Sequence, residues 1–259
     1  CTVLRGERGS NAPDLPGKRH KTLVAFSHYP LVDFNDGVSE SVHRMWGDRR
    51  FDLHRVPEAE VSEAFLQAGL RLHFAGHMHV NDTGIWEGKD GKHLYNIQVP
   101  SIATDVPAYK ILTIENDEVF RVETVTLDTV PGFDSLFPLY RAEYQSDSLR
   151  GYSPVWNKEI LSARTYGEFC DYQFRDLVRL RFIPRDLPES WRACLDFTGA
   201  RMLKAVSGED KANNANWTGW CMKDLVLDVY RLRYAERLAL KDIPETRLAA
   251  YRYLFDRAR

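Results

Sequence analysis

The chain has 259 residues, of which 44% are hydrophobic and 28% charged, and its formal net charge is −2. This balance is typical of a folded globular protein and argues against a disordered chain. No apolar run approaches the roughly 18 residues of a membrane span, so we expect none. The basic residues alternate with acidic ones, which argues against nucleic-acid binding, because that function requires clustered positive charge.

The first predicted elements alternate between strand and helix. The segment KTLVAFS (21–27) is a short apolar run that predicts a buried strand. The segment PEAEVSEAFLQAG (57–69) has a proline and acidic residues near its start and a glycine at its end, which predicts a helix. The segment LHFAG (72–76) predicts the next strand. A strand, a crossover helix and a second strand indicate a βαβ unit of an α/β sheet.

Three further strands are predicted at 94–99, 108–115 and 119–127. The last two are separated by three residues and predict an antiparallel hairpin. Residues 131–153 mix proline, glycine, serine and aromatic residues without a period, which predicts a linker.

The remainder of the chain has helical periodicity. In its third predicted helix, Leu225, Val229 and Leu232 recur at the spacing of one helix face. The predicted helices cover 154–182, 188–206, 217–240 and 243–258. The four tryptophans of this part are expected to contribute to a helical core. We therefore predict a domain at 1–130, a linker at 131–153 and a mostly α-helical domain at 154–259.

All eight histidines lie between His20 and His93, and two of them, His77 and His79, stand on either side of one methionine in FAGHMH. Alternate residues of an extended segment point to similar sides, so both imidazoles can face one centre. Imidazole is a ligand for zinc, iron and manganese. Taken alone, the pair fits two surface histidines equally well.

A second apolar strand, in VAFSHYP (24–30), ends directly at His28. Successive parallel strands place their carboxyl ends at one edge of the sheet, where α/β proteins hold their sites. We therefore expect His28, His77 and His79 to converge on a metal ion. No partner motif accompanies the remaining histidines of this region, and we expect the mid-strand His73 to be packed or exposed rather than to bind metal.

Three other chemistries that use paired histidines do not fit. A metallo-β-lactamase site requires HxHxDH, whereas the chain has HMHVND. An amidohydrolase barrel requires further histidines on later strands, and only His93 follows. A zincin requires HExxH on a helix, and this motif does not occur in the sequence.

The two motifs VAFSHYP and FAGHMH, in this order, resemble the later motifs of the calcineurin-like metallophosphoesterases. In that family a strand ends in a histidine that a proline often follows, and a later strand ends in Gly-His-x-His. The segment YNIQVPSIATDVPAYKILTIENDEVFRVETV is similar to the closing strands of the family. The resemblance covers roughly residues 20–130 and leaves the helical part outside.

The resemblance implies a four-layer β-sandwich with flanking helices and a centre of two divalent ions of manganese, iron or zinc. It assigns His28 and His77 to one ion and His79 to the other. A metal-bound hydroxide then attacks the phosphorus of a phosphate mono- or diester. Tyr29 follows the first of these ligands, and either it lines the substrate pocket or it is buried beside Pro30.

The earlier motifs of the family, D-x-H, G-D-x-x-D and G-N-H, do not occur before VAFSHYP. We therefore expect this chain to be the C-terminal part of a longer enzyme, whose natural start precedes Cys1 and whose N-terminal part is a required partner. No catalytic residue is identifiable in the chain itself. Alone, it should hold at most one weakly bound ion and have no phosphoesterase activity.

Two alternatives remain open. One is a non-catalytic protein that retains the phosphoesterase fold and uses it to bind a partner. The other is a mononuclear structural zinc site formed by His28, His77 and His79.

Overall fold

The computed structural model describes residues 23–35, 37–46, 52–116, 119–152 and 156–258. The segment before residue 23, where the missing family motifs were sought, lies outside the described residues, as do the first residues of the predicted strand 21–27 and of the predicted helix 154–182. The described part has mixed α+β structure, with two small sheets and several helices. Within it, no helix has both the length and the apolar character needed to cross a bilayer.

The chain divides into two compact units, Cys1–Leu127 and Asp128–Arg259. The first unit contains the six strands found among the described residues. Its elements in chain order are β1 (Val24–Ser27), α1 (Ser39–Trp46), a 3₁₀ turn (Leu53–Arg55), α2 (Ala59–Gln67), β2 (Leu72–Ala75), β3 (Asp82–Glu87), β4 (His93–Gln98), β5 (Ala108–Ile114) and β6 (Phe120–Thr126).

The larger sheet has the strand order β1-β2-β4-β3. Strands β1, β2 and β4 are parallel, and β3 runs antiparallel to β4 at the edge. The predicted βαβ unit is confirmed, because α2 lies between the parallel strands β1 and β2 in the chain. The predicted hairpin is also confirmed: β5 and β6 pair antiparallel, from Ala108 opposite Thr126 to Ile114 opposite Phe120.

A cluster of buried residues packs on each face of the larger sheet within the first unit. On one face Leu66 and Leu70, at the end of α2, pack against Leu94 of β4 and Val32. On the other face, a second cluster joins the two sheets. It consists of Leu72, Phe74 and Ile97 from the larger sheet and Leu112, Phe120 and Val122 from the hairpin, among others. The first unit therefore has three packed layers: helix α2, the mostly parallel sheet and the hairpin.

The second unit is helical. Its elements are α3 (Phe137–Leu149), a 3₁₀ turn (Lys158–Ser162), α4 (Tyr166–Leu177), a π turn (Val178–Phe182), α5 (Ile183–Asp186), α6 (Glu189–Arg192), α7 (Gly199–Ser207), α8 (Ala215–Thr218), α9 (Met222–Ala235), a 3₁₀ turn (Glu236–Asp242) and α10 (Glu245–Ala258). The segment 131–153, predicted as a linker, contains α3. The sequence of α3 shows no apolar repeat at helical spacing, because Phe137 is the one residue of this helix that is fully buried.

Aromatic residues fill the core of this unit. Phe182 stacks on Tyr230 with 4.8 Å between ring centroids, and the Tyr230 hydroxyl donates a hydrogen bond of 2.6 Å to Asp186. Trp217 and Trp220 are buried, whereas Trp191 is exposed. The helix predicted at 217–240 begins as α9 at Met222, because the Asp224 carboxylate accepts a hydrogen bond of 2.8 Å from the Cys221 backbone N–H and caps the helix there.

Candidate functional site

Two histidine-bearing loops meet at the carboxyl edge of the larger sheet. Strands β1 and β2 are parallel neighbours, with Ser27 opposite Ala75 at their ends. His28 follows β1 directly, and His77 lies two residues beyond β2. The Gly76 backbone N–H donates to the Ser27 carbonyl, with 3.4 Å between nitrogen and oxygen, so the pairing continues into the loops. The register of the sheet thus brings the two loops side by side.

The structure places His28 and His77 in direct contact. Their ring nitrogens, Nε2 of His28 and Nδ1 of His77, are 2.8 Å apart, and the ring planes are inclined by 73°. A hydrogen bond at this distance requires one of the two nitrogens to carry the proton and the other to accept it. The expected convergence of these two side chains at one sheet edge is therefore observed.

The residue between the two histidines of FAGHMH anchors the loop. Met78 is buried and packs against Phe34 and Val80, whereas His77 is half-buried and His79 is exposed. Both histidines have left-handed backbone conformations, with φ of 60° and 57°. Such conformations are strained for residues other than glycine, and they cluster at functional sites. The methionine thus fixes the loop to the core while its neighbours remain at the surface.

A glycine such as Gly76 at the end of a strand can permit a tight backbone path. A Cβ atom at this position would lie 3.9 Å from the His28 carbonyl oxygen and 4.0 Å from its Nδ1, which are ordinary van der Waals distances. The glycine is therefore not required by steric crowding from the first loop.

The environment of the second loop favours the uncharged form of His77 and His79. Desolvation by the surrounding protein lowers the pKa of His77, electrostatic interaction with His28 and Arg55 lowers it further, and Asp52 acts in the opposite direction. Desolvation also lowers the pKa of His79, followed by the charge of His28. Neutral imidazole is the form that binds metal ions. His79 thus lies within electrostatic range of the pair.

The ring of Tyr29 contacts both histidines of the pair. Its ring centroid is 4.9 Å from that of His28 and 4.6 Å from that of His77. The side chain is 42% exposed, and it is Pro30 that is buried. Burial of Tyr29 beside Pro30 is therefore not observed, and its place in a substrate pocket stays a prediction. The guanidinium carbon of Arg55 lies 4.8 Å from the centroid of the same ring.

A buried polar network supports the first loop from below. The Ser27 hydroxyl oxygen is 2.8 Å from Nε2 of His73, and Nδ1 of His73 is 2.7 Å from Oδ1 of Asn96. The Leu31 backbone N–H also donates to Asn96 Oδ1, at 2.8 Å. His73 and Asn96 are 1% and 0% exposed. The sequence allowed His73 to be packed or exposed, and it is packed.

The partners of Asn96 fix the proton positions of this network. Because Leu31 N–H can only donate, the atom that it meets is the amide oxygen, and Nδ1 of His73 must carry the proton that points to it. Burial lowers the pKa of His73, so the ring is neutral and its Nε2 is an acceptor. The Ser27 hydroxyl therefore lies within hydrogen-bond distance of two acceptors, His73 Nε2 and the Tyr29 carbonyl oxygen at 2.7 Å, and its single proton is directed to one of them at a time. These contacts tie the His28–Tyr29 turn to the centre of the sheet.

The His28–His77 pair fits a metal ion in its donor chemistry. Two nitrogen ligands at about 2.1 Å from one ion lie about 3.0 Å apart in octahedral and about 3.4 Å apart in tetrahedral geometry, so the two rings would separate by a few tenths of an ångström to hold one. Among the described residues, no three side chains of His, Cys, Asp or Glu form a group that could hold a metal ion. The assignment of His28, His77 and His79 as ligands therefore stays a prediction.

No protein-family model matches the chain, and no curated protein matches it significantly.

Sequence reasoning missed two contributors to this edge. Arg55 lies in a short turn far from either histidine motif, and no pattern in the sequence relates it to Tyr29. Asn96 lies within the predicted strand 94–99, where an asparagine between apolar residues is an unusual choice for a buried strand. An asparagine in this position was the one sequence feature that could have indicated the buried network of Ser27, His73 and Asn96.

Proposed function

We propose that this chain supplies the histidine-bearing edge of a metal-dependent phosphoesterase of the calcineurin-like type. The observation that carries the proposal is the direct contact between His28 and His77, which end neighbouring parallel strands in the two segments that resemble the family motifs. The packing of the hairpin on one face of the larger sheet and of α2 on the other supports assignment to a β-sandwich with flanking helices.

In this proposal His28 and His77 bind one divalent ion, and His79 binds a second ion of the complete centre. The bound ions, of manganese, iron or zinc, supply a hydroxide nucleophile and stabilise charge on the phosphate ester. The chain's own residues orient these ligands. Met78 anchors one loop, and the Ser27–His73–Asn96 network holds the other. No general acid or base is assigned among its residues, so the chain alone is expected to be inactive.

The test is a calorimetric titration of the 259-residue protein with Zn²⁺ and Mn²⁺. Wild type should bind at most one ion weakly, and His28→Ala and His77→Ala should each weaken binding by at least about tenfold. His93→Ala is the matched control, because His93 begins β4 and lies at the opposite edge of the same sheet. Loss of binding in all three variants alike, or in none, contradicts the proposal.

Hydrolysis assays and ion-binding measurements distinguish the alternatives. Full hydrolysis of p-nitrophenyl phosphate by the isolated chain with Mn²⁺ would contradict the expected requirement for an N-terminal partner. A partner-binding protein that only retains the fold should show no ion binding at the pair. A structural zinc site should bind one Zn²⁺ with the stability of the first unit rising accordingly, and His79→Ala should weaken that binding as much as His77→Ala.

A further inference from the structure

Arg55 carries donor groups that the described structure does not use. Its Nε atom is buried and has no hydrogen-bond partner there. A buried N–H without an acceptor is costly, and a bound water, ion or ligand is one way to satisfy it. The residue closes the turn that begins at Asp52, whose backbone φ is 58° and whose carbonyl accepts the Arg55 N–H at 2.9 Å. The turn thus holds Arg55 in place.

The guanidinium of Arg55 lies over the ring of Tyr29. The guanidinium carbon lies 4.8 Å from the ring centroid, within the range of a cation–π interaction. A guanidinium that rests on an aromatic face still directs its N–H groups outward in its own plane, where they can bind two oxygens of one anion. The Tyr29 ring therefore supports the cation without consuming its hydrogen bonds.

The location of this cation links it to the histidine pair. Tyr29 contacts both His28 and His77, with centroid distances below 5 Å. Arg55 is close enough for its charge to lower the pKa of His77. A tetrahedral anion on the Arg55 fork would therefore lie at the same surface as the imidazoles.

We propose that Arg55, supported by Tyr29, is an anion-binding residue that takes the oxygens of a phosphoryl group beside the His28–His77 pair. As a substrate subsite this rests on the proposed function, but the binding itself requires no metal ion. The ligand class is a tetrahedral oxyanion, and a phosphate ester presents two or three such oxygens at once. The subsite would orient the ester and is separate from the metal ligands.

The test measures the binding of inorganic phosphate to the 259-residue protein by ³¹P NMR. The buffer contains a metal chelator. Wild type should show saturable binding, and Arg55→Gln should raise the dissociation constant by at least about tenfold, because charge-assisted hydrogen bonds are lost. Arg121→Gln is the charge-matched control, since this arginine lies on the hairpin and already pairs with Glu115. Its dissociation constant should remain within about twofold of wild type.

A measurement on wild type covers the case in which Arg55→Gln does not fold. Phosphate should shift one arginine Nε–H signal in the ¹H–¹⁵N spectrum, and Arg55→Lys, which keeps the charge but loses the fork, should bind more weakly than wild type. Equal phosphate binding by wild type and Arg55→Gln overturns the proposal, and so does absence of saturable binding by wild type.

Zn²⁺ titration of the same proteins separates this inference from the proposed function. Arg55→Gln should retain the Zn²⁺ affinity of wild type. Phosphate binding that depends on Arg55, without Zn²⁺ binding at the histidines, would support the anion subsite and contradict the phosphoesterase. The reverse result would contradict the subsite alone.

Discussion

Replacement of Asn96 by alanine tests the buried network quantitatively. The Asn96 side-chain oxygen accepts hydrogen bonds from the Leu31 N–H and from His73 Nδ1, at 2.8 and 2.7 Å, and the residue is fully buried. Each donor left without an acceptor costs about 1–3 kcal/mol. The Asn96 amide nitrogen is itself buried without a partner, so its removal offsets part of this cost. We expect a net loss of about 2–4 kcal/mol in the free energy of unfolding of the first unit.

Asn116→Ala is the matched control. The Asn116 side-chain oxygen accepts a hydrogen bond of 3.0 Å from the Val119 backbone N–H, but this contact is exposed. Water replaces the lost acceptor there, so the expected cost is below about 1 kcal/mol.

Hydrogen exchange with mass spectrometry is the suitable assay, because it reports on the two units separately. Peptides from β2 and β4 should exchange faster in Asn96→Ala by the factor that corresponds to the lost free energy, whereas peptides from α9 should be unchanged. The reasoning would be refuted by exchange in β2 and β4 no faster than in Asn116→Ala, since that would mean that the two donors find other partners.

Three further predictions concern single residues. Burial lowers the pKa of His73 below the ordinary value of 6.5. The contribution of His73 to the stability of the first unit should therefore be complete above pH 6.5 and should be lost as the pH falls through the pKa of the folded state. Urea titrations between about pH 5 and 7 should show a shallower decline of stability in His73→Asn than in wild type. Gly84→Ala should destabilise the first unit by about 1–3 kcal/mol in urea titrations, because its Cβ would lie 2.1 Å from the Asp33 carbonyl oxygen, and an unchanged midpoint would contradict the observed approach. Gly199→Ala should place a Cβ 2.2 Å from the Trp220 ring, and it should accelerate hydrogen exchange in α7 while leaving β2 unchanged.

The strands that carry the histidines could be predicted because their signals are local. Short apolar runs ending in polar loops mark β1 and β2, and parallel pairing then dictates that His28 and His77 share an edge. The hairpin was predictable from local signals too, since its two strands are rich in β-branched and aromatic residues and a short polar segment separates them. These parts require only the order of residues along the chain and the handedness of the crossover.

Strand β3 was not predicted, because its features depend on contacts distant in sequence. Gly84 lies mid-strand, where glycine normally weakens a strand assignment. The structure gives its reason: the Asp33 carbonyl passes too close to admit a side chain. The same applies to the network of Ser27, His73 and Asn96, whose members come from three strands. No local pattern relates them until the register places His73 opposite Asn96.

Arg55 shows the limit for the candidate site. Its role depends on the stacking of one side chain over another that is 26 residues earlier in the chain. Long charged side chains are mostly solvent-exposed, so an arginine in a turn gives no sequence signal of a partner. Side-chain geometry alone distinguishes it from the other arginines of the first unit.

The left-handed backbone at His77 and His79 predicts which residues a screen of loop variants would select at these two positions. Glycine adopts this conformation without penalty, whereas an imidazole residue carries a cost of roughly 1 kcal/mol at each position. A library screened only for heat resistance should therefore accumulate glycine at both positions, provided that Met78 keeps the loop attached to the core. A library screened for a function that uses the imidazoles should retain both histidines. Comparison of the two outcomes would show which residues of this loop serve the fold and which serve the chemistry.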